Sequence, residues 1–140
     1  MDIFKIVSEQ SCTISLEAKD KDECLQKIAD IAANSFPDVS GEQIFNSLRE
    51  REEMVSTGLE DGIAIPHARL KGITEFVIGI AVSQKGIDFE SIDKKKTRLF
   101  FILIGPEEST EEHLRIMAQI VRVAKNRTAY REMLQAPSGE

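Results

Sequence analysis

The chain has 140 residues, 41% of them hydrophobic and 30% charged, with a formal net charge of −6 at pH 7. That length is one domain, able to bury roughly 68–70% of its unfolded surface without staples. The acidic balance argues against a nucleic-acid face, and no apolar run approaches the ~20 residues that a membrane helix needs. The opening residues, Met1-Asp2-Ile3-Phe4-Lys5, are not a secretory signal. Two cysteines, Cys12 and Cys24, make no disulfide framework and read as small core residues in a reducing cytoplasm.

Residues 1–10 carry Ile3, Phe4, Ile6 and Val7 and are expected to cover part of the core as a short helix or an extended arm. Cys12 to Leu16 alternates and predicts a strand. Asp20 followed by Glu23 has the spacing of a capping box. The helix it opens places Cys24, Leu25, Ile28, Ile31 and Ala32 on one stripe and ends near Asn34-Ser35, because Pro37 disfavours a helical residue before it. Ser40 and Gln43 repeat the capping pattern, and Ile44, Phe45 and Leu48 predict a second helix running toward Arg51.

The stretch from Arg51 to Arg69 holds one of only two histidines. Ile63-Ala64-Ile65 reads as a short strand, and Pro66, lacking an N–H, is expected to stop it. His67 then stands at a strand end, where side chains reach solvent and loops carry function. Gly58 and Gly62 flank a polar loop, with the hydroxyls of Ser56 and Thr57 just before it. Histidine has a reference pKa near ~6.5, so much of it is neutral at cytoplasmic pH. An imidazole nucleophile beside hydroxyls, free amides and an arginine is what phosphoryl acceptance needs.

After a turn at Lys71-Gly72, Phe76 to Ser83 is apolar almost throughout, as for a strand buried on both faces, and Gln84-Lys85-Gly86 is expected to break it. Asp93-Lys94-Lys95-Lys96 reads as a solvated loop tip. Leu99 to Gly105 is a second fully apolar strand, closed by Pro106. Ser109 and Glu112 open a helix over Thr110 to Lys125. Its core stripe is expected to be Leu114, Met117, Ala118, Val121 and Ala124, widened by Ile116, Ile120 and Val123. His113 falls in its first turn, where free N–H groups and the helix dipole suit a phosphoryl group. The tail from Arg127 continues as a helix through Tyr130 and Leu134. Strands alternating with helices predict an α/β layered fold. No H-x-x-H or H-E-x-x-H spacing supports a metal or hydrolytic site, so no metal is assigned.

The segment S-T-G-x-x-x-G-I-A-I-P-H, residues 56–67, resembles the signature of the enzyme IIA domains of the sugar phosphotransferase system, of the fructose/mannitol/nitrogen-regulatory type. The resemblance covers about residues 1–135 and implies a single-domain layered sandwich, a mixed β-sheet flanked by helices on both sides, with residues 1–140 as one such domain. Relatives usually carry one more helix after this point, which implies a short domain or a longer parent chain. The resemblance implies that His67 accepts a phosphoryl group from an HPr-type phosphocarrier. It implies a second active-site histidine at His113, whose alternative is a surface histidine capping its helix. Arg51, in the R-E that opens the motif, is implied as the phosphoryl-binding arginine in preference to Arg49; the alternative is that both are solvated helix-end charges. Ser56 and Thr57 either bind the phosphoryl group or satisfy their own loop. No cofactor is implied. The onward partner that the resemblance implies is a sugar-specific enzyme IIB (fructose/mannitol type) serving sugar uptake. The alternative is a nitrogen-regulatory or transporter- or regulator-attached module whose phosphorylation state controls partner binding. The segment I-D-F-E-S-I-D leans toward the nitrogen-regulatory branch. Leu59-Glu60-Asp61 departs from the neutral residues common at these positions, and its two carboxylates are expected to tune transfer or repel the donor's phosphoryl group.

Overall fold

A computed structural model describes residues 7, 11–13, 15–54, 57–58, 61–91 and 93–135. Its elements are α1 (Lys21–Ala33), α2 (Gly41–Met54), β1 (Ile63–Ala64), β2 (His67–Leu70), β3 (Val77–Ile87), β4 (Thr97–Pro106), α3 (Thr110–Ala124) and α4 (Arg127–Leu134). The hub is β4, which pairs in parallel with β1 and β2 and antiparallel with β3. Successive side chains of a strand point to opposite faces. Phe100, Ile102 and Ile104 of β4 therefore pack into one cluster with Leu25, Ile28, Ile44 and Leu48 of α1 and α2. Leu99, Phe101 and Leu103 pack into the other, with Ile116, Ile120 and Tyr130 of α3 and α4. This is the expected mixed sheet with helices on both sides.

The caps follow the sequence pattern in two of the three predicted cases, and α4 has a cap that the sequence reading did not name. The Asp20 carboxylate accepts from the Glu23 N–H at 2.8 Å. Ser40 and Gln43 make both halves of a capping box, at 3.1 and 3.3 Å. Asn126 accepts from Thr128 and Ala129 to start α4. Ser109 caps α3 by position only: its backbone is not extended and its hydroxyl makes no cap bond.

Four expectations are revised. Cys12 to Leu16 forms no named strand; its described residues lie parallel to β3, with Thr13 N–H donating to Ile80 and Val82 N–H to Thr13, both at 2.9 Å. The close approach at this edge demands Gly79, where a Cβ would stand 2.4 Å from the Ser11 carbonyl oxygen. Ile14, and residues 1–10 apart from Val7, lie outside the described residues. Second, Pro66 interrupts the pairing without ending it. Its carbonyl accepts from Leu103 N–H at 3.0 Å, and β2 resumes the register of β1, with Ile63 opposite Leu99 and His67 opposite Leu103. His67 thus begins a strand where the sequence suggested the end of one. Third, β3 continues through Gln84-Lys85-Gly86 with an irregularity in register between Val82 and Ile87, which Gly86 accommodates at φ +84.

Fourth, α3 turns a different face inward. His113, Ile116, Ile120 and Ala124 are buried, whereas Leu114 is 65% exposed. Both stripes have helical spacing, and a one-residue shift rotates the face by about 100°. Cys24 is fully buried, and burial, aided by Glu52, pushes its thiol up to about 12; Cys12 is half-buried, and neither cysteine is in a disulfide.

Candidate functional site

His67 leaves the break between β1 and β2 with both ring nitrogens engaged. Nδ1 lies 2.8 Å from the Ile65 carbonyl oxygen. A carbonyl only accepts, so Nδ1 carries the proton and Nε2 the lone pair. Arg51, in the last turn of α2, sends its Nε–H to that lone pair at 3.0 Å. Burial lowers the His67 pKa; the Ile65 bond partly opposes this, and the Arg51 guanidinium adds to it. The ring is neutral at pH 7, with a nucleophilic electron pair on Nε2.

His113 stands across from it, in the first turn of α3, with ring centroids 5.5 Å apart at 50°. The Phe76 ring also lies against it, at 6.1 Å. Only 5% of His113 is exposed, and its Nδ1 is buried with no hydrogen-bond partner among the described residues. Burial, then the neighbouring His67 and Arg69, push its pKa down to about 4. It is therefore neutral too, and it is a core residue as well as a cleft residue, which the sequence did not indicate.

Arg69 is the residue that sequence reasoning missed. On a strand, positions i and i+2 share a face, so Arg69 stands beside His67. Its Nη1 donates to Thr110 Oγ1 at 2.5 Å, tying β2 to the N-terminus of α3. Its charge lowers the pKa of both histidines. That spacing was the signal available in the sequence. Arg51, His67, Arg69, Thr110 and His113 line one cleft of about 500 Å³, whose rim includes the exposed apolar side chains of Met54 and Leu114. Arg49, by contrast, is half-exposed and pairs with Glu53 at 3.6 Å.

The remaining candidates are placed differently. Thr57 is buried, does not line the cleft, and gives its hydroxyl to Glu52, an internal contact of the kind that the sequence left open beside phosphoryl binding. The physical reason is that Glu52 is a buried carboxylate and must be supplied with donors. Ser56, Leu59 and Glu60 lie outside the described residues. Asp61 is exposed, points its N–H at Asp93, and does not line the cleft. Among the described residues no group of three or more His, Cys, Asp or Glu is placed to hold a metal ion, and no helix is long and apolar enough to cross a membrane.

Fold and cleft together define a small α/β domain whose cleft holds a neutral imidazole that is oriented by a carbonyl and faced by two arginines. The chain belongs to the family described as phosphoenolpyruvate-dependent sugar phosphotransferase system, EIIA 2, whose profile matches residues 5–140. It is 31% identical over 136 residues to a nitrogen regulatory protein of Pseudomonas aeruginosa, covering 97% of this chain and 88% of the relative. It is 27% identical over 137 residues to the fructose-specific EIIA component of the phosphotransferase system of Haloferax volcanii, covering 98% and 89%. The fold matches the crystal structure of nitrogen regulatory protein IIA-Ntr from Neisseria meningitidis with a TM-score of 0.88 at 24% identity, covering 96% of this chain and 92% of that one.

Proposed function

We propose that the protein is a phosphocarrier whose phosphorylation at His67 regulates the binding of partner proteins. Nε2 attacks the phosphorus of a phosphohistidine on an HPr-type carrier. A new N–P bond forms, the donor's N–P bond breaks, and the donor nitrogen leaves with the electron pair. The Nδ1 proton stays on the ring and is held by the Ile65 carbonyl. The observation that carries this reading is the placement of both ring nitrogens, Nδ1 at 2.8 Å from a carbonyl and Nε2 at 3.0 Å from Arg51.

Arg51 must turn from the lone pair to the phosphoryl oxygens, where a guanidinium takes two at once. His113 faces the group across the cleft, and Arg69 and the α3 N-terminus add donors and positive potential. Ser56 remains a proposed donor; Thr57 acts through the loop. Transfer between two nitrogens requires charge compensation only, so the reading includes no metal or cofactor. It places residues 1–140 in one phosphocarrier domain of the cytoplasm.

The regulatory role is preferred because the nitrogen regulatory relative, at 31% identity, is the more similar of the two described. The second reading, transfer to an enzyme IIB for sugar uptake, draws on the fructose-specific relative. The test is incubation with enzyme I, HPr and phosphoenolpyruvate. One acid-labile, base-stable phosphoryl group is expected, absent in His67→Ala; equal labelling of His67→Ala overturns the reading. Phosphoryl transfer onward to a purified enzyme IIB supports sugar uptake. Its absence, with partner capture that differs between the phosphorylated and unphosphorylated forms, supports regulation.

A further inference from the structure

Glu52 sits next to Arg51 on α2, yet its side chain is only 5% exposed. It accepts at both carboxylate oxygens from the Thr57 N–H, at 2.9 and 3.1 Å, and again from the Thr57 hydroxyl. Lys21 of α1 pairs with it at 2.8 Å. The Thr57 carbonyl in turn accepts from the Ile65 N–H at 3.1 Å, and the Ile65 carbonyl accepts from Nδ1 of His67. A continuous run of bonds therefore leads from Lys21 through Glu52, Thr57 and Ile65 to the imidazole.

We infer that Glu52 is a positioning residue for His67, acting through Thr57 and Ile65. One turn of α2 grips both sides of the ring: Arg51 reaches Nε2 directly, and Glu52 holds Thr57, whose carbonyl anchors Ile65, the residue whose own carbonyl holds Nδ1. A buried ion pair is weak evidence for stability, because a well-packed apolar pair can serve as well. What an apolar pair lacks is a hold on the backbone at Thr57. With Thr57 held at its N–H, its carbonyl is in place for the Ile65 N–H, and the Ile65 carbonyl is aimed at Nδ1. If Thr57 turns, the Ile65 carbonyl loses its aim and the ring is free to place its proton on Nε2, where it blocks attack. Thr57 and its loop are thus used for orientation, which explains why its hydroxyl is turned away from the cleft.

The inference rests on the phosphocarrier reading only for its consequence in rate; the tautomer itself is measured without any phosphoryl donor. The experiment compares the full chain with Glu52→Gln, with Lys21→Met/Glu52→Gln, which leaves no unpaired ammonium, and with Thr57→Val, which removes a single donor. Nitrogen-15 NMR of the unphosphorylated ring is expected to show the Nδ1–H tautomer in the wild type. It should show a mixture with Nε2–H in every variant that folds, with the smallest change in Thr57→Val. Single-turnover labelling by phospho-HPr is expected to slow by about ten- to a hundredfold at saturating donor, the scale of a ~1 Å misplacement, with half-saturation unchanged. Folded variants that keep the wild-type tautomer and rate overturn the positioning role. A wild type that shows the Nδ1–H tautomer but takes no label overturns the phosphocarrier reading and leaves the assignment of Glu52 standing.

Discussion

Acid should unfold this protein earlier than its carboxylates require, because its cleft holds two neutral histidines, His113 buried and His67 half-buried. The pKa of His113 falls from 6.5 to about 4 on folding, through burial first and then through His67 and Arg69. Between those values the unfolded chain binds a proton that the folded chain refuses. Stability therefore rises with pH across that window: the contribution is complete above 6.5 and is lost as pH falls toward 4. At about 1.4 kcal/mol per pKa unit, His113 alone accounts for roughly 3 kcal/mol over the whole window and roughly 2 kcal/mol between pH 6.5 and 5. That is a large part of a typical stability of 5–15 kcal/mol. His67 shifts in the same direction and adds to the slope. The assay is urea unfolding at pH 7.5, 6.5, 5.5 and 5.0 for the wild type and for His113→Gln, which keeps a polar side chain but cannot titrate. The wild type should lose stability steeply below pH 6.5, and the variant should lose about 2 kcal/mol less between pH 6.5 and 5. Equal slopes in the two proteins would refute the burial argument for His113.

Arg51→Lys keeps the charge but loses the planar fork that takes two oxygens, so labelling by phospho-HPr should slow by ~10²–10³ while Arg49→Lys has little effect; equal effects of the two, in stopped labelling reactions, would remove Arg51 from its role. Ile116→Ala should cost about 2–5 kcal/mol in chemical denaturation, because Ile116 is fully buried, whereas Leu114→Gln should stay within about 0.5 kcal/mol. The reverse order would mean that α3 is rotated by one residue. Gly79→Ala should lower stability by about 1–3 kcal/mol, since its Cβ would stand 2.4 Å from the Ser11 carbonyl oxygen; an unchanged midpoint would show that the residue 11–13 segment is not held against β3.

The local chemistry was legible in the sequence because it depends on near neighbours. A continuous apolar run marked β4 and helical spacing marked α1 and α2, and the capping pairs at Asp20-Glu23 and Ser40-Gln43 sit where the helices begin. The family motif singled out His67, Arg51 and His113, and the fold brings the three side chains to one cleft.

What the tertiary structure decided is which face each element shows and what each polar group meets, since these depend on partners distant in the chain. Two stripes on α3 had helical spacing, and only the sheet beneath it put His113, Ile116 and Ile120 at the centre, Met117 and Val121 at the edge and Leu114 in solvent. Pro66 could have ended its strand, but an acceptor was all that Leu103 of β4 required. Thr57 had a hydroxyl suited to a phosphoryl group, and a buried carboxylate five positions earlier claimed it. A residue's type sets the bonds it is able to make; the desolvation cost of leaving a buried group unpaired decides, only once the chain has closed on itself, which of them it makes.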